Sequence, residues 1–114
     1  MKRSFSINLW EKLLLEKERE KERERREILG KVLETLRGYF AAKKVKAVYL
    51  WGSILREGEF SPFSDIDIAV EDLKEDYFQV LCELEEVLQR DVDLVEIEKC
   101  TFRGKILQEG VKIL

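Results

Sequence analysis

The sequence predicts an α/β (α+β) domain, a small mixed sheet with helices on one face, preceded by a charged N-terminal helix. Two observations predict it. Residues 7–40 contain no Pro and only two Gly, Gly30 and Gly38, so that stretch is written for helix. Beyond it, short β-prone runs at 46–51, 65–70 and 91–97 are separated by loops and an amphipathic stretch, the order of an α/β chain.

The first helix is expected over residues 8–27. Asn8 stands as its cap with Glu11 three residues on, and Leu9, Trp10, Leu13 and Leu14 form an apolar face. From Glu16 the segment is almost purely charged. Opposite signs meet at i,i+3, as Glu18 with Lys21, and like signs at i,i+4, as Glu18 with Glu22. Such a run reads as a solvated rod. Its apolar leading patch is too large to leave in water without reason, which implies packing on another copy of the chain, on a helical partner or back on the domain, the intermolecular contact being favoured.

A second helix is expected over 28–42, its stripe made by Ile28, Leu29, Val32, Leu33, Leu36, Tyr39 and Phe40. The division of the chain is therefore placed at 1–27, the extension, and 28–114, the domain. Strand 46–51 ends at Gly52-Ser53, residues 53–56 form a short helical turn, and 58–64 with Pro62 form a loop. Strand 65–70 alternates strictly, with Ile66, Ile68 and Val70 on one face and Asp65 and Asp67 on the other. Helix 72–89 is expected to bury Phe78, Leu81, Leu84, Val87 and Leu88, with Cys82 in its buried side. A third strand spans 91–97, and a last helix over 101–109 stops at Gly110, read as a C′ glycine.

Composition narrows the function. At 114 residues the chain suits one domain with one modest core. Charged residues reach 39%, yet the net charge is only −3, so no global basic field attracts nucleic acid. There is no His, and Cys82 and Cys100 are far apart, which argues against zinc. The basic start, Met1 to Ser6, runs into polar residues rather than an apolar signal core, and no apolar run spans a bilayer, so a cytoplasmic location is expected. The crowd of Glu, Lys and Arg, with a single Asn, resembles thermophile proteins.

Three features carry chemistry. A Gly directly after a strand lets the backbone turn sharply and a phosphate approach closely, and Ser53 adds a hydroxyl donor. Asp65 and Asp67, two apart on a strand, point to the same side. Asp93 on another strand supplies a third oxygen ligand; Asp91 shares its face, but sits at the strand's start beside Arg90 and is read as structural. Clustered carboxylates repel, and a divalent cation relieves them: Mg²⁺, as two ions, fits an all-oxygen site that also binds phosphates. Tyr49 and Trp51 read as sheet-face residues, whereas Phe60 and Phe63 in the loop are better placed to touch a nucleotide.

The motifs Tyr49-Leu50-Trp51-Gly52-Ser53, Ser64-Asp65-Ile66-Asp67-Ile68 and Val92-Asp93-Leu94-Val95 resemble the minimal nucleotidyltransferase (MNT) group of the DNA polymerase beta-like superfamily. The resemblance runs from Ile28 to Leu114, including a tail at 106–111, with a loop one residue longer than usual around Glu57-Gly58. It implies the nucleotidyltransferase fold and transfer of a nucleoside monophosphate from an NTP, ATP foremost, to an acceptor hydroxyl. It implies Asp65, Asp67 and Asp93 as metal-binding and catalytic residues, and Gly52, Ser53, Arg56 and Ser64 as nucleotide-binding ones. It also implies a separate all-helical HEPN-type partner, as in toxin–antitoxin pairs; the alternative is an antitoxin that neutralises such a partner by contact alone.

Overall fold

The computed structural model describes the backbone of residues 2–114 and the side chains from Asn8 onward. Its elements are α1 (Lys2–Ala41), β1 (Ala47–Trp51), a 3₁₀ turn (Ser53–Leu55), β2 (Ile66–Glu71), α2 (Tyr77–Leu88), β3 (Val92–Glu96), a second 3₁₀ turn (Ile97–Lys99), α3 (Arg103–Glu109) and β4 (Val111–Lys112). The sheet order is β3-β2-β1-β4. β1 runs antiparallel to β2 and to β4, while β2 and β3 are parallel. A parallel pair needs a crossover, and α2 supplies it.

The core lies between this sheet and the two longer helices. Val32, Leu36 and Phe40 of α1, with Val80 and Leu84 of α2, pack on Val48, Leu50, Ile66, Ile68 and Val70. Ile66, Ile68 and Val70 thus take the core face, as their alternation required. The opposite face carries the carboxylates and is closed only at one end, where Ala69 and Ile97 meet Ile106 of α3.

Four local expectations are corrected. The two N-terminal helices are one 40-residue helix. Gly30 costs helix stability, roughly 0.5–1 kcal/mol relative to Ala, but nothing crowds it and strong helix formers flank it, so the helix runs through. Asn8 is therefore a mid-helix residue and caps nothing. α2 starts at Tyr77, not 72: Asp72 has φ 52°, incompatible with a helix start, and the carboxylate of Asp76 accepts from Gln79 N–H at 2.9 Å as the true cap.

The buried face of α2 also differs from the expected one. Val80 and Leu84 are fully buried, but Phe78 is 73% exposed, Val87 is exposed and so is Cys82. Gly110 is not a left-handed C′ residue, since its φ is −73°. It is required by space, because a Cβ there would stand 2.6 Å from the Ile106 carbonyl oxygen and 3.4 Å from that of Leu50.

The charged run is less solvated than its composition suggests. The i,i+3 pairing holds for Glu22–Arg25 and Glu20–Arg23. Yet the Glu22 and Arg25 side chains are only 13% and 12% exposed. The reason lies in the Gly52 turn, against which this part of α1 packs. Among the described residues no helix is long and apolar enough to cross a membrane; the six N-terminal residues read as lacking a signal core lie outside the described side chains.

Candidate active site

The register of three strands assembles the site. Asp67 pairs with Trp51 on one side and with Asp93 on the other. Paired residues point to the same face, so the end of β1 and the starts of β2 and β3 deliver Trp51, Asp67 and Asp93 side by side. Asp65 lies just before β2 and Gly52 just after β1. Asp91 precedes β3, where its backbone carbonyl accepts from Ile66 N–H at 3.0 Å and opens the ladder.

Gly52 is demanded twice. Its φ of 86° and ψ of −158° belong to a region open essentially to glycine alone. A Cβ there would also lie 2.0 Å from Asp67 Oδ2 and 2.8 Å from its Cγ. The turn backbone is thus pressed directly against the central carboxylate. The buried side chain of Ile54 anchors the turn in the core, and Leu55 and Arg56 N–H donate back to the Gly52 and Ser53 carbonyls at 3.1 and 3.0 Å.

The electrostatics follow. Burial pushes the Asp67 carboxyl up from 3.8 to about 6, reinforced by the charges of Asp93 and Asp65 and a hydrogen bond with Asp93, and opposed by Arg56. Arg56 also pairs with Glu59 at 3.2 Å and Glu109 at 3.6 Å. Among the described residues no three acidic groups close up into a ready-made metal centre. Mutual repulsion keeps such groups apart, while an all-carboxylate donor set beside a close-approach turn fits a divalent cation that also ligates phosphate oxygens. Asp65, Asp67 and Asp93 are the residues that would hold it.

A testable pH dependence results. A carboxyl whose folded pKa is raised stabilises the fold while protonated, so metal-free stability should fall as pH rises from about 4 to about 6. Mg²⁺ selects the ionised form and should bind more tightly across the same interval. Melting temperature against pH, with and without Mg²⁺, checks both. A flat metal-free profile that matches Asp67→Asn would remove the coupling.

Ser53 and Arg56 lie on the turn next to Asp67, as the motif implied. Ser64 does not reach inward: its hydroxyl accepts from Ser61 N–H at 2.9 Å and meets Ser61 Oγ at 3.1 Å. Phe60 is packed on the core edge under Arg90, whose guanidinium carbon is 4.7 Å from the ring centre. Phe63 is 94% exposed and remains free to meet a ligand. Trp51 packs on Phe102, centroids 5.7 Å apart, and its indole N–H is buried with no acceptor among the described residues.

Three contributors were missed from sequence. Arg25 donates to the Ile54 carbonyl at 2.8 Å and holds Glu22 through two bonds of 2.5 and 2.9 Å. Its guanidinium draws the Glu22 carboxyl down to about 2, with Arg26 helping against burial. Arg90 donates to the carbonyl of Ser64 at 2.9 Å and tethers the loop before Asp65. Tyr77 hydroxyl donates to the Leu94 carbonyl, next to Asp93, and burial with the charges of Asp93 and Glu96 raises its pKa. Only a three-dimensional fold reveals these long-range contacts; an alternating charge run hides them.

The Arg25 brace has a consequence. Arg25→Met leaves the Ile54 carbonyl and Glu22 without their partner. We expect amide exchange to rise at Ser53–Leu55 and the nucleotide KM to increase about tenfold, with helix content intact. Unchanged exchange at the turn would show that the brace has no hold on it.

A sheet that sets a glycine turn against paired strand carboxylates defines a nucleotidyltransferase domain. The chain belongs to the polymerase beta nucleotidyltransferase family, whose model matches residues 34–114. Its fold is similar to two solved structures: a toxin–antitoxin with AMP-PNP, at TM-score 0.59, 24% identity, and 72% coverage of each chain; and a mutant of the toxin–antitoxin MntA-HpeT, at TM-score 0.53, 24% identity, and coverage of 75% of this chain and 70% of that one. At that identity they speak for the fold. No curated protein matches the sequence.

Proposed function

We propose that the protein transfers AMP from ATP to an acceptor hydroxyl and releases pyrophosphate, with Asp65, Asp67 and Asp93 holding Mg²⁺, as two ions. The observation that supports this is the contact of the Gly52 turn with Asp67, which sets the backbone of the turn directly beside a strand carboxylate. The acceptor oxygen attacks the α-phosphorus in line, the bond from that phosphorus to the β-bridging oxygen breaks, and pyrophosphate departs. Asp93, exposed at the start of β3, takes the acceptor proton. Gly52 and Ser53 hold the triphosphate, and Arg56 offsets its negative charge. Bound Mg²⁺ supplies charge neutralisation on the transferring phosphoryl and leaving groups.

The acceptor belongs to a separate all-helical HEPN-type protein, with which this domain forms a toxin–antitoxin pair. Support comes from the toxin–antitoxin assemblies that share the fold. Incubation with Mg²⁺, a candidate helical partner and ATP labelled on the α- or γ-phosphate tests it. Label should reach the partner from the α position only. Transfer from the γ position would make the protein a kinase. No transfer, with tight partner binding, would leave an antitoxin that acts by contact.

A further inference from the structure

α1 extends far beyond the sheet: the molecule measures 66 × 28 × 19 Å, and a 40-residue helix accounts for about 60 Å of its length. On its outer part Leu9, Trp10, Leu13, Leu14 and Leu15 are 45–64% exposed. At about 100° of turn per residue, Leu13, Lys17, Glu20, Glu24, Ile28 and Lys31 fall in one strip along the whole helix. That strip lies to the side of the face that carries Leu36 and Phe40 into the core. At the domain end it opens into a groove of 320 Å³ lined by apolar Ile28, Val87 and Leu88 and by charged Lys31, Glu34 and Arg90. One strip thus leads from exposed Leu13, flanked by Leu9 and Trp10, to a groove whose lining is part apolar and part charged.

The charges between them are self-complementary in only one sense. From Glu16 to Arg25 every even position is Glu and every odd position is Lys or Arg. Two copies laid parallel in register set like on like. Two copies laid antiparallel, with paired residue numbers summing to an odd value, set opposite signs together throughout. At a sum of 41, Lys17 meets Glu24, Glu20 meets Lys21 and Leu13 meets Ile28, each twice by the two-fold axis. In the same register Trp10 reaches Lys31 at the groove.

We propose that α1 pairs with α1 of a second copy, antiparallel about residues 20 and 21, so that each apolar patch fills the partner's groove between α1 and α2. The dimer is isologous and closes on itself. Its basis is independent of the transfer reading, so the two stand or fall separately.

The decisive test is the register. In a Cys82→Ser, Cys100→Ser background, the pair Leu13→Cys and Ile28→Cys should cross-link two chains on oxidation. Leu13→Cys alone should not, because the two copies of that position lie about 22 Å apart along the axis. Light scattering should find a dimer for the full chain. Glu24→Lys should weaken it at least tenfold, and adding Lys17→Glu should restore it. Circular dichroism on each variant separates lost pairing from a melted helix. A monomer at micromolar concentration, cross-linking by Leu13→Cys alone, or no rescue by the double charge reversal overturns the proposal. Preferential capture of the strip by a helical partner, with no self-association, overturns it equally.

Discussion

Asp67→Asn is expected to reduce nucleotidyl transfer about a thousandfold, in the range seen when a single electrostatic stabiliser is lost from a transition state. The fold should survive. Asp67 sits near the start of β2 on the carboxylate face, and the core contacts of that strand come from Ile66, Ile68 and Val70. The metal-free variant should in fact melt higher than wild type above pH 6. Its amide keeps the shape beside Gly52 but removes a charge that burial, Asp93 and Asp65 all oppose. Asp65→Asn should lose transfer in the same direction with less change in melting, because Asp65 is exposed. Activity and melting temperature measured on the same samples separate the two effects. Near-wild-type transfer by Asp67→Asn would end the catalytic assignment, whatever its stability.

How far the sequence showed this site depends on the kind of contact. Strand alternation alone placed Ile66, Ile68 and Val70 inward and both carboxylates outward, because a strand's period is two and leaves no choice. The nearness of Asp67 to Asp93 was also legible, since two strands that carry carboxylates near their starts bring them together if they pair in parallel. What failed was whatever depended on a start point. Helix 72–89 was begun five residues early, and its apolar stripe was drawn through Phe78 and Val87, whereas packing on the sheet buries Val80 and Leu84. Asp72 at positive φ carries no sequence mark that separates it from an ordinary N-terminal aspartate. The charged part of α1 failed for a different reason. Glu22 and Arg25 are embedded in a run of identical residue types, and only the position of the Gly52 turn selects that pair for burial. The domain boundary proposed at residue 27 is thus crossed by one continuous helix, whose residues on both sides support the domain. A truncation meant to spare the domain has to stop before Lys21, so that Glu22 stays with Arg25.

Gly52→Val is the second substitution with a large expected effect, and it acts through two separable causes. The φ of 86° and ψ of −158° cost any L-residue about 1–3 kcal/mol. The new Cβ also overlaps Asp67, 2.0 Å from Oδ2, so the turn or the carboxylate has to move. Mg-ATP binding should fall more than tenfold and the melting temperature should drop. Gly58 provides the control for strain alone. Its φ is 82°, but no atom lies within 4 Å of its would-be Cβ, so Gly58→Ala should cost stability and leave nucleotide binding unchanged. The overlap itself is isolated by a double-mutant cycle of Gly52→Ala with Asp67→Ala. Removing the carboxylate takes away the atoms at 2.0 and 2.8 Å and leaves only the Asp67 Cβ at 3.0 Å. The pair should therefore be less destabilised than the sum of its singles by at least about 1 kcal/mol, the size of coupling found for residues in direct contact. Denaturant melts of the four proteins read that number directly. Simple additivity would mean that the turn and the carboxylate do not share space, and the phosphate cradle would have to be placed elsewhere.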